Sequence, residues 1–423
     1  MSAALLRTRR FLPLFLTQAL GALNDNLFKN ALVVLVVFRM AEGGPALVAL
    51  AGGLFILPYA LFSPLAGQLA DRFDKSLLIR VTKLFEAALM ALAAWGFLAA
   101  HVPALFAVLF GLGVQAAFFG PLKYGILPDL LAEHELIRGN ALVEAGTFGA
   151  ILAGTIAGGA LIGLPSGPGI IALTGLLIAV LGVAAAFMVP PAAPAAPGLR
   201  LGWNIPHETR RLMRAARANR PVWLSILGLS WFWTVGATFL AEFPVMAKQD
   251  FLADNGVVTL LLAGFAIGVG GGSILAGRLL RGEVSARHVP PAALALSVFT
   301  FGFAHLAGRP EAAEWATPAA MLASPGGIAA LACLLGAAAC GGVFSVPLYA
   351  IIQERADPVQ RARMIAANNV LNAAFMVLGA GVIAGLGALG MRPASILMVT
   401  GGLNLLVAGF FYRPASSVMP KPS

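Results

Sequence analysis

FLPLFLTQALGALNDNLFKNALVVLVVF, which spans residues 11–38, is long and apolar enough to cross a lipid bilayer as one helix, yet Asn24, Asp25 and Asn26 lie near its centre. Moving an ionised carboxylate into hydrocarbon is costly. Acids at this depth therefore usually face the interior of a helix bundle or a water-filled path. This stretch predicts a membrane protein with a polar interior.

The composition of the chain supports the same prediction. Of the 423 residues, 59% are hydrophobic and only 11% are charged, and the mean hydropathy is +0.89. Because a soluble domain is about 25% charged, this much apolar surface needs lipid as its solvent. Stretches of about 20 apolar residues predict an all-α membrane protein with twelve transmembrane helices. They lie near residues 11–38, 45–69, 77–100, 103–127, 140–163, 167–189, 221–247, 256–279, 289–307, 327–351, 364–388 and 393–412.

The distribution of lysine and arginine predicts the orientation. Twelve spans place both termini on one side of the membrane. If that side is the cytoplasm, 20 of the 28 basic residues lie in cytoplasmic segments and four in outside loops. This bias follows the positive-inside rule, so we expect N- and C-termini in the cytoplasm. It also accounts for most of the net charge of +10, and no nucleic-acid partner is expected.

The sequence carries no recognisable catalytic motif. It has no phosphate-binding G-x-x-x-x-G-K-[ST], no G-x-S-x-G and no H-x-x-x-x-D of glycerolipid acyltransferases. The five histidines are scattered without metal-ligand spacing. Cys333 and Cys340 stand seven residues apart in one span, roughly 10 Å, which is too far for a disulfide. We therefore expect no enzyme, no cofactor and no metal site.

A proline-rich and then basic segment at residues 190–220 divides the spans into six and six. This predicts an N-terminal six-helix bundle over 1–189, a cytoplasmic linker over 190–220 and a C-terminal bundle over 221–423. The two bundles are expected to be pseudo-symmetric, because FGPLKYGILPDLL from Phe119 is weakly similar to FSVPLYAIIQERA from Phe344. Related halves of this kind are typical of transporters that rock around a central site.

The linker itself predicts a short amphipathic helix on the membrane surface. Four arginines recur there at helical spacing: Arg210, Arg211, Arg214 and Arg217. Such a helix could contact anionic lipid of the inner leaflet. Alternatively it serves only as a positive-inside anchor between the bundles.

Polar residues of the first span are candidates for the wall of a central cavity. Spacings of three and four place them on one helical face: Thr17, Gln18, Gly21, Asn24, Asp25 and Phe28. The alternative is that Asp25 and Lys29, four residues apart, form an intrahelical ion pair that serves stability alone.

Other spans add further candidates, each with an ordinary alternative. Lys123 could hold a phosphate or pair with a buried acid, or it could extend to the interface. Glu144 could face the cavity or be only a charge near a helix N-terminus. Arg80, Lys83 and Glu86 of span 3, spaced three apart, could likewise extend to the interface and be only structural, or act inside the bundle.

Spans 7 and 11 contribute the candidates of the second bundle. Glu242 is a second acid inside a span, and Trp233 could belong to an acyl-chain slot or to an interfacial aromatic belt. Asn369 could line the cavity or join helices to one another.

The segment after span 2, GQLADRFDKS over residues 67–76, resembles a loop motif of the major facilitator superfamily. An acid at a helix end can pair with basic residues of a neighbouring helix and so close the cytoplasmic side. We expect a cytoplasmic gate at Asp71, Arg72 and Lys75, unless the segment is an ordinary charged turn. The corresponding AGRLLRGEVS from Ala276 lacks the acid, so the latch should be asymmetric.

Taken with this motif, the first span and the segments GPLKYGILPDLL, IRGNALVEAGT and VPLYAIIQERA resemble the bacterial lysophospholipid transporter family of the major facilitator superfamily. The same module also occurs fused to acyltransferase and acyl-carrier-protein synthetase domains. The resemblance implies a flippase of the bacterial inner membrane. It would move lysophosphatidylethanolamine and lysophosphatidylglycerol from the outer to the inner leaflet for re-acylation, by alternating access with lateral lipid access between the halves.

The resemblance also implies site residues and partners. Asp25, Lys123 and Glu144 match positions of the family's polar site. Some relatives place a basic residue on helix 7, whereas this chain has Phe239 and its neighbours there, so Asp25 would pair with Lys29 or Lys123 instead. Since the chain ends soon after span 12, a separate acyltransferase or acyl-carrier-protein synthetase is expected, and the protein is expected to be a monomer. The alternative function is a proton-coupled exporter of small amphiphilic compounds, with acids of spans 1 and 7 as proton sites. A further alternative is a non-transporting scaffold for a lipid-modifying enzyme, which would tolerate alanine at the site.

Overall fold

The fold is known from a computed structural model, which describes residues 2–39 and 44–415. The described residues form twelve long helices, labelled α1 to α12. Their bounds are Leu12–Arg39 (α1), Gly44–Arg72 (α2), Lys75–Leu98 (α3), Val102–Gly125 (α4), Glu133–Ile162 (α5), Gly167–Phe187 (α6), Arg220–Gln249 (α7), Asn255–Leu279 (α8), Val289–Ala307 (α9), Pro325–Arg355 (α10), Arg361–Ala388 (α11) and Pro393–Ala415 (α12). The C-terminal tail predicted to be cytoplasmic, residues 416–423, lies outside the described residues.

The twelve helices correspond one to one to the twelve spans predicted from hydropathy. Within the described residues, ten are long and apolar enough to cross a membrane by length and composition. The other two are α1 and α3, which carry charged residues inside the bundle. The all-α membrane architecture is therefore confirmed.

Several predicted boundaries were wrong because hydropathy does not detect a helix that continues beyond the apolar layer. α2 runs to Arg72, so the first part of the GQLADRFDKS segment is helix and not loop. α5 begins at Glu133 rather than near residue 140, since its first turns are polar. Glu144 accordingly lies three turns inside α5 and is not a charge at its N-terminus.

Helix starts are fixed by side chains that accept hydrogen bonds from free backbone N–H groups. Asp74 accepts from the amides of Ser76 and Leu77 at the start of α3, at 2.7 and 3.2 Å. Asp254 does the same at the start of α8. These acids lie between helices, where they also oppose the positive end of each helix dipole.

The segment between α6 and α7 contains a helix at Ile205–Ala218. Leu212 and Ala216 are buried against the bundle, and all four predicted arginines are exposed. The segment is tied to α2, because the Gly202 amide donates to Gln68 Oε1 at 2.8 Å. The end of the molecule that carries this helix is called the linker end.

The two sets of six helices contact each other at the linker end. A buried apolar cluster joins them there, formed by residues of α5, α8 and α10 and by the residue that follows α8: Ile137, Ala141, Ala276, Leu280, Val346 and Ala350. The interior is therefore closed at the linker end.

Candidate functional site

The polar interior is built mainly by the first six helices. Asp25 of α1 lies within electrostatic range of Lys29, Lys83, Lys123 and Glu86. Lys123 lies within range of Glu144 as well as Asp25. Three acids and three lysines thus share one region, and their formal charges cancel, which lowers the cost of keeping them in a bundle interior.

Asp25 has no ion-pair partner among the described residues, and its buried Oδ1 atom accepts no hydrogen bond there. Each nearby lysine is engaged elsewhere. The Lys29 ammonium lies 4.3 Å from the ring centroid of Phe55, and that of Lys123 lies 4.7 Å from the ring of Tyr124. The Lys83 ammonium forms an ion pair of 2.5 Å with Glu86. The predicted intrahelical pair of Asp25 with Lys29 is therefore not formed, and neither is a pair with Lys123.

Glu144 is fully buried and lies at the start of a chain of contacts that crosses between the halves. Its Oε1 accepts a short hydrogen bond from the Tyr124 hydroxyl, and its Oε2 is buried without a partner among the described residues. The Tyr124 ring stacks on that of Tyr349, with centroids 4.2 Å apart. Trp233 Nε1 donates to the Tyr349 hydroxyl at 3.0 Å. Trp233 is therefore an interior residue and not part of an interfacial belt.

The second half contributes amides and aromatic rings to this interior. Asn369 of α11 packs on Gly120 of α4, where a methyl group would lie 2.6 Å from the amide nitrogen. The neighbouring Asn368 is also buried and lies beside the Tyr349 hydroxyl. Glu242 is also buried, but its electrostatic neighbour is Asp250 at the end of α7 opposite the linker. The structure therefore does not bring Glu242 into the cluster around Asp25.

The residues of the predicted polar face of α1 do not all face the same part of the interior. Gln18 accepts from the Thr147 hydroxyl of α5 at 2.8 Å. Asn24 instead lines a cavity of about 10 Å³ between α1, α3 and α6, beside Gly175, and so faces into the first bundle rather than toward the second. Asp25 is half-buried and lies next to it on the helix. The prediction that the whole face lines one cavity was wrong, because residues 100° apart on a helix meet different neighbours.

The gate segment makes a cross-half contact that the sequence only partly specified. The buried Asp71 carboxylate accepts from Arg363 Nε at 2.8 Å and from the Ala362 amide at 3.0 Å. It thereby pairs with a charge and caps the first turn of α11. Lys75 binds Asp129 at 2.9 Å, and Arg361 approaches the same carboxylate at 3.8 Å.

Arg72 has a different surrounding. Its guanidinium lies over the ring of the adjacent Phe73, at 5.3 Å from the centroid. Within the described residues it forms no ion pair across the halves. The charge pair that the predicted gate would require of Arg72 is therefore not formed among the described residues.

Sequence reasoning missed a second contact between the halves near the predicted gate. The side-chain amides of Asn140 and Gln353, both fully buried, exchange hydrogen bonds of 2.6 and 3.1 Å. Gln353 also donates to the Tyr124 carbonyl at 3.1 Å. The only sequence signal was that an amide lies near the linker end of each half. Nothing local indicates that the two face each other.

No group of three or more His, Cys, Asp or Glu side chains in the described part of the chain is arranged to hold a metal ion. The chemistry available to the interior is therefore that of fixed charges, amides and aromatic rings. Such groups can bind a polar solute inside a helix bundle.

Comparisons with known proteins agree. Residues 11–335 match the family model of the Major Facilitator Superfamily. The human organic anion transporter MFSD10 has the same fold, with a TM-score of 0.76 at 17% identity over 95% of this chain and 98% of that one. A bacterial homologue of the iron transporter ferroportin gives a TM-score of 0.72 at 16% identity over 97% and 100%.

A curated relative gives a finer assignment. The chain is 32% identical over 375 residues to the lysophospholipid transporter LplT of Shigella sonnei, covering 86% of this chain and 85% of that protein. The chain belongs to the lysophospholipid transporter family of the major facilitator superfamily. This is a class of multi-pass membrane transporters and not of enzymes.

Proposed function

We propose that the protein moves lysophospholipids from the outer to the inner leaflet of a bacterial inner membrane, where they are re-acylated by a separate enzyme. The name of the LplT relatives supports the substrate class. The observation that carries the proposal is that Asp25 and Lys123 are held in one polar interior without an ion-pair partner among the described residues.

A zwitterionic headgroup fits this arrangement. The ammonium of lysophosphatidylethanolamine would bind Asp25 of α1. Its phosphate would bind Lys123 of α4, a helix of the same bundle. Hydrogen bonds to ionised groups are worth about 1.5–3 kcal/mol each, so two such contacts offset much of the cost of removing the headgroup from water. Lysophosphatidylglycerol would use the phosphate contact without the ammonium contact.

The second half supplies a neutral wall opposite these charges. Trp233, Tyr349 and Asn369 offer rings and an amide, which can contact glycerol oxygens and the first part of the acyl chain. Because the fixed charges lie on one wall, we propose that the headgroup stays with the first bundle while the second bundle moves past it.

The closed end of the molecule supports the direction of transport. By the positive-inside rule the linker end is cytoplasmic, so this conformation is closed to the cytoplasm. We propose that a lipid of the outer leaflet enters sideways between α2 and α11, whose ends away from the linker carry exposed glycines. Net flux needs no ATP if re-acylation consumes each lysolipid that arrives.

Transport by purified protein in liposomes tests this proposal. Labelled lysophosphatidylethanolamine is added on one side, and its appearance in the other leaflet is followed with and without a pH gradient. The proposal predicts transport that is indifferent to the gradient. Transport that requires the gradient would favour the proton-coupled exporter of small amphiphiles, and absence of lysolipid transport would refute the substrate assignment.

A further inference from the structure

The Lys83–Glu86 pair of α3 is a buried ion pair that takes no part in the headgroup contacts proposed above. Both side chains are almost completely buried, at 1% and 0% exposure, and their charged atoms are 2.5 Å apart. Gln115 of α4 donates to the same Glu86 oxygen at 3.0 Å. These partners hold the Glu86 carboxylate in place from two helices.

Two glycines on neighbouring helices leave the room that the lysine occupies. A methyl group at Gly21 of α1 would lie 3.3 Å from Lys83 Nζ, and one at Gly182 of α6 would lie 2.9 Å from it. The ammonium is therefore located in the middle of the first bundle. Of the two alternatives left open for Lys83, extension to the membrane interface is therefore excluded.

The position of the ammonium places it close to the substrate site. Gly21 and Asp25 are four residues apart on α1, and such positions are neighbours on a helix surface, with about 5–6 Å between Cβ atoms. Lys83 lies within electrostatic range of Asp25. A lysine on a flexible stem next to two carboxylates binds the one that is better placed, and here that carboxylate is Glu86.

We infer that Glu86 is a specificity-determining positioning residue: it holds Lys83 away from Asp25 and so keeps Asp25 free to bind an ammonium-bearing headgroup. This inference rests on the proposed function. Without the Glu86 charge, Lys83 turns to Asp25 and occupies the cation subsite from within the protein. Ammonium-bearing lysolipids then lose their contact, whereas anionic lysolipids without an ammonium keep theirs.

The test compares two lysolipids in liposomes containing wild type, Glu86→Gln and Lys83→Met/Glu86→Gln. Glu86→Gln should lower transport of lysophosphatidylethanolamine about tenfold, which corresponds to one lost hydrogen bond to a charged group. Transport of lysophosphatidylglycerol should fall far less. The double variant should restore the wild-type ratio of the two substrates, because no lysine then competes for Asp25.

The controls separate this role from a structural one. Glu283→Gln, at an exposed acid of the loop after α8, should leave both activities unchanged. If Glu86→Gln does not accumulate, Glu86→Asp should show the same selectivity change more weakly, since its shorter side chain reaches Lys83 less well. The inference alone would be overturned if Glu86→Gln lowered transport of both substrates equally. It would also be overturned if a folded double variant did not regain the wild-type ratio of the two substrates. Wild-type protein that transports neither lysolipid would overturn the proposed function as well.

Discussion

Replacing Asp71 with asparagine should open the linker end of the protein. Asp71 is fully buried and accepts from the Arg363 guanidinium at 2.8 Å and from the Ala362 amide at 3.0 Å. A hydrogen bond to a charged group is worth about 1.5–3 kcal/mol, and a helix-capping contact adds about 1 kcal/mol. Asparagine keeps one acceptor but not the charge. If the closed state loses about 2–3 kcal/mol of stabilisation, the equilibrium between closed and open states shifts toward the open state by about 30- to 150-fold.

Cysteine accessibility measures this change directly. Ala141 is buried between the halves at the linker end, so Ala141→Cys reports opening in a background that lacks Cys333 and Cys340. In inside-out vesicles, an impermeant maleimide should label this cysteine at least tenfold faster in the protein that carries Asp71→Asn than in the protein that keeps Asp71.

The matched control is Asp254→Asn. Asp254 also caps a helix, but it lies at the end of α8 opposite the linker. This change should leave the labelling rate at the linker end unaltered. Equal labelling with and without the Asp71 substitution would refute the assignment of Asp71 as the latch.

Three further predictions concern stability, each read as the thermal unfolding midpoint in detergent. Asn140→Leu should destabilise by about 1–3 kcal/mol, because it leaves the side-chain oxygen of Gln353 buried without a hydrogen-bond donor. Arg392→Ala should also destabilise, since Asp250 is fully buried and loses its 2.6 Å partner; adding Asp250→Asn should recover most of the loss. Asp74→Ala should cost about 1 kcal/mol at neutral pH. Burial favours a higher pKa for Asp74, but hydrogen bonds to it outweigh burial and hold its pKa below the ordinary value. The stabilisation is thus fully present at pH values above the ordinary pKa of aspartate. The difference in stability between wild type and variant should vanish as the pH falls through the lower pKa of the folded state.

The number and order of the helices could be predicted because lipid makes hydropathy decisive. Each span must satisfy its own backbone and present apolar side chains to the bilayer, and both requirements are local in sequence. The polar extension of α5 to Glu133 could not be predicted in this way, because helix that leaves the bilayer no longer needs apolar residues.

The site was predicted in its residue types but not in its pairings. Asp25, Lys123 and Glu144 were recognised as charges inside spans, and the structure places them in one region. The Asp71 latch was expected, but its partner Arg363 lies 292 residues away and no local pattern identifies it. Lys83 has the same sequence signature whether it extends to the interface or is buried. Its placement depends on two glycines of other helices.

The most direct test of the central claim is lysophosphatidylethanolamine transport by Asp25→Ala and Lys123→Ala at matched expression. Glu283→Gln and Lys248→Met serve as controls, since both residues are exposed charges away from the interior. The account predicts that the two interior variants lose at least about tenfold in transport while the controls keep wild-type rates. Unchanged transport in the interior variants would contradict passage of the headgroup through the polar interior.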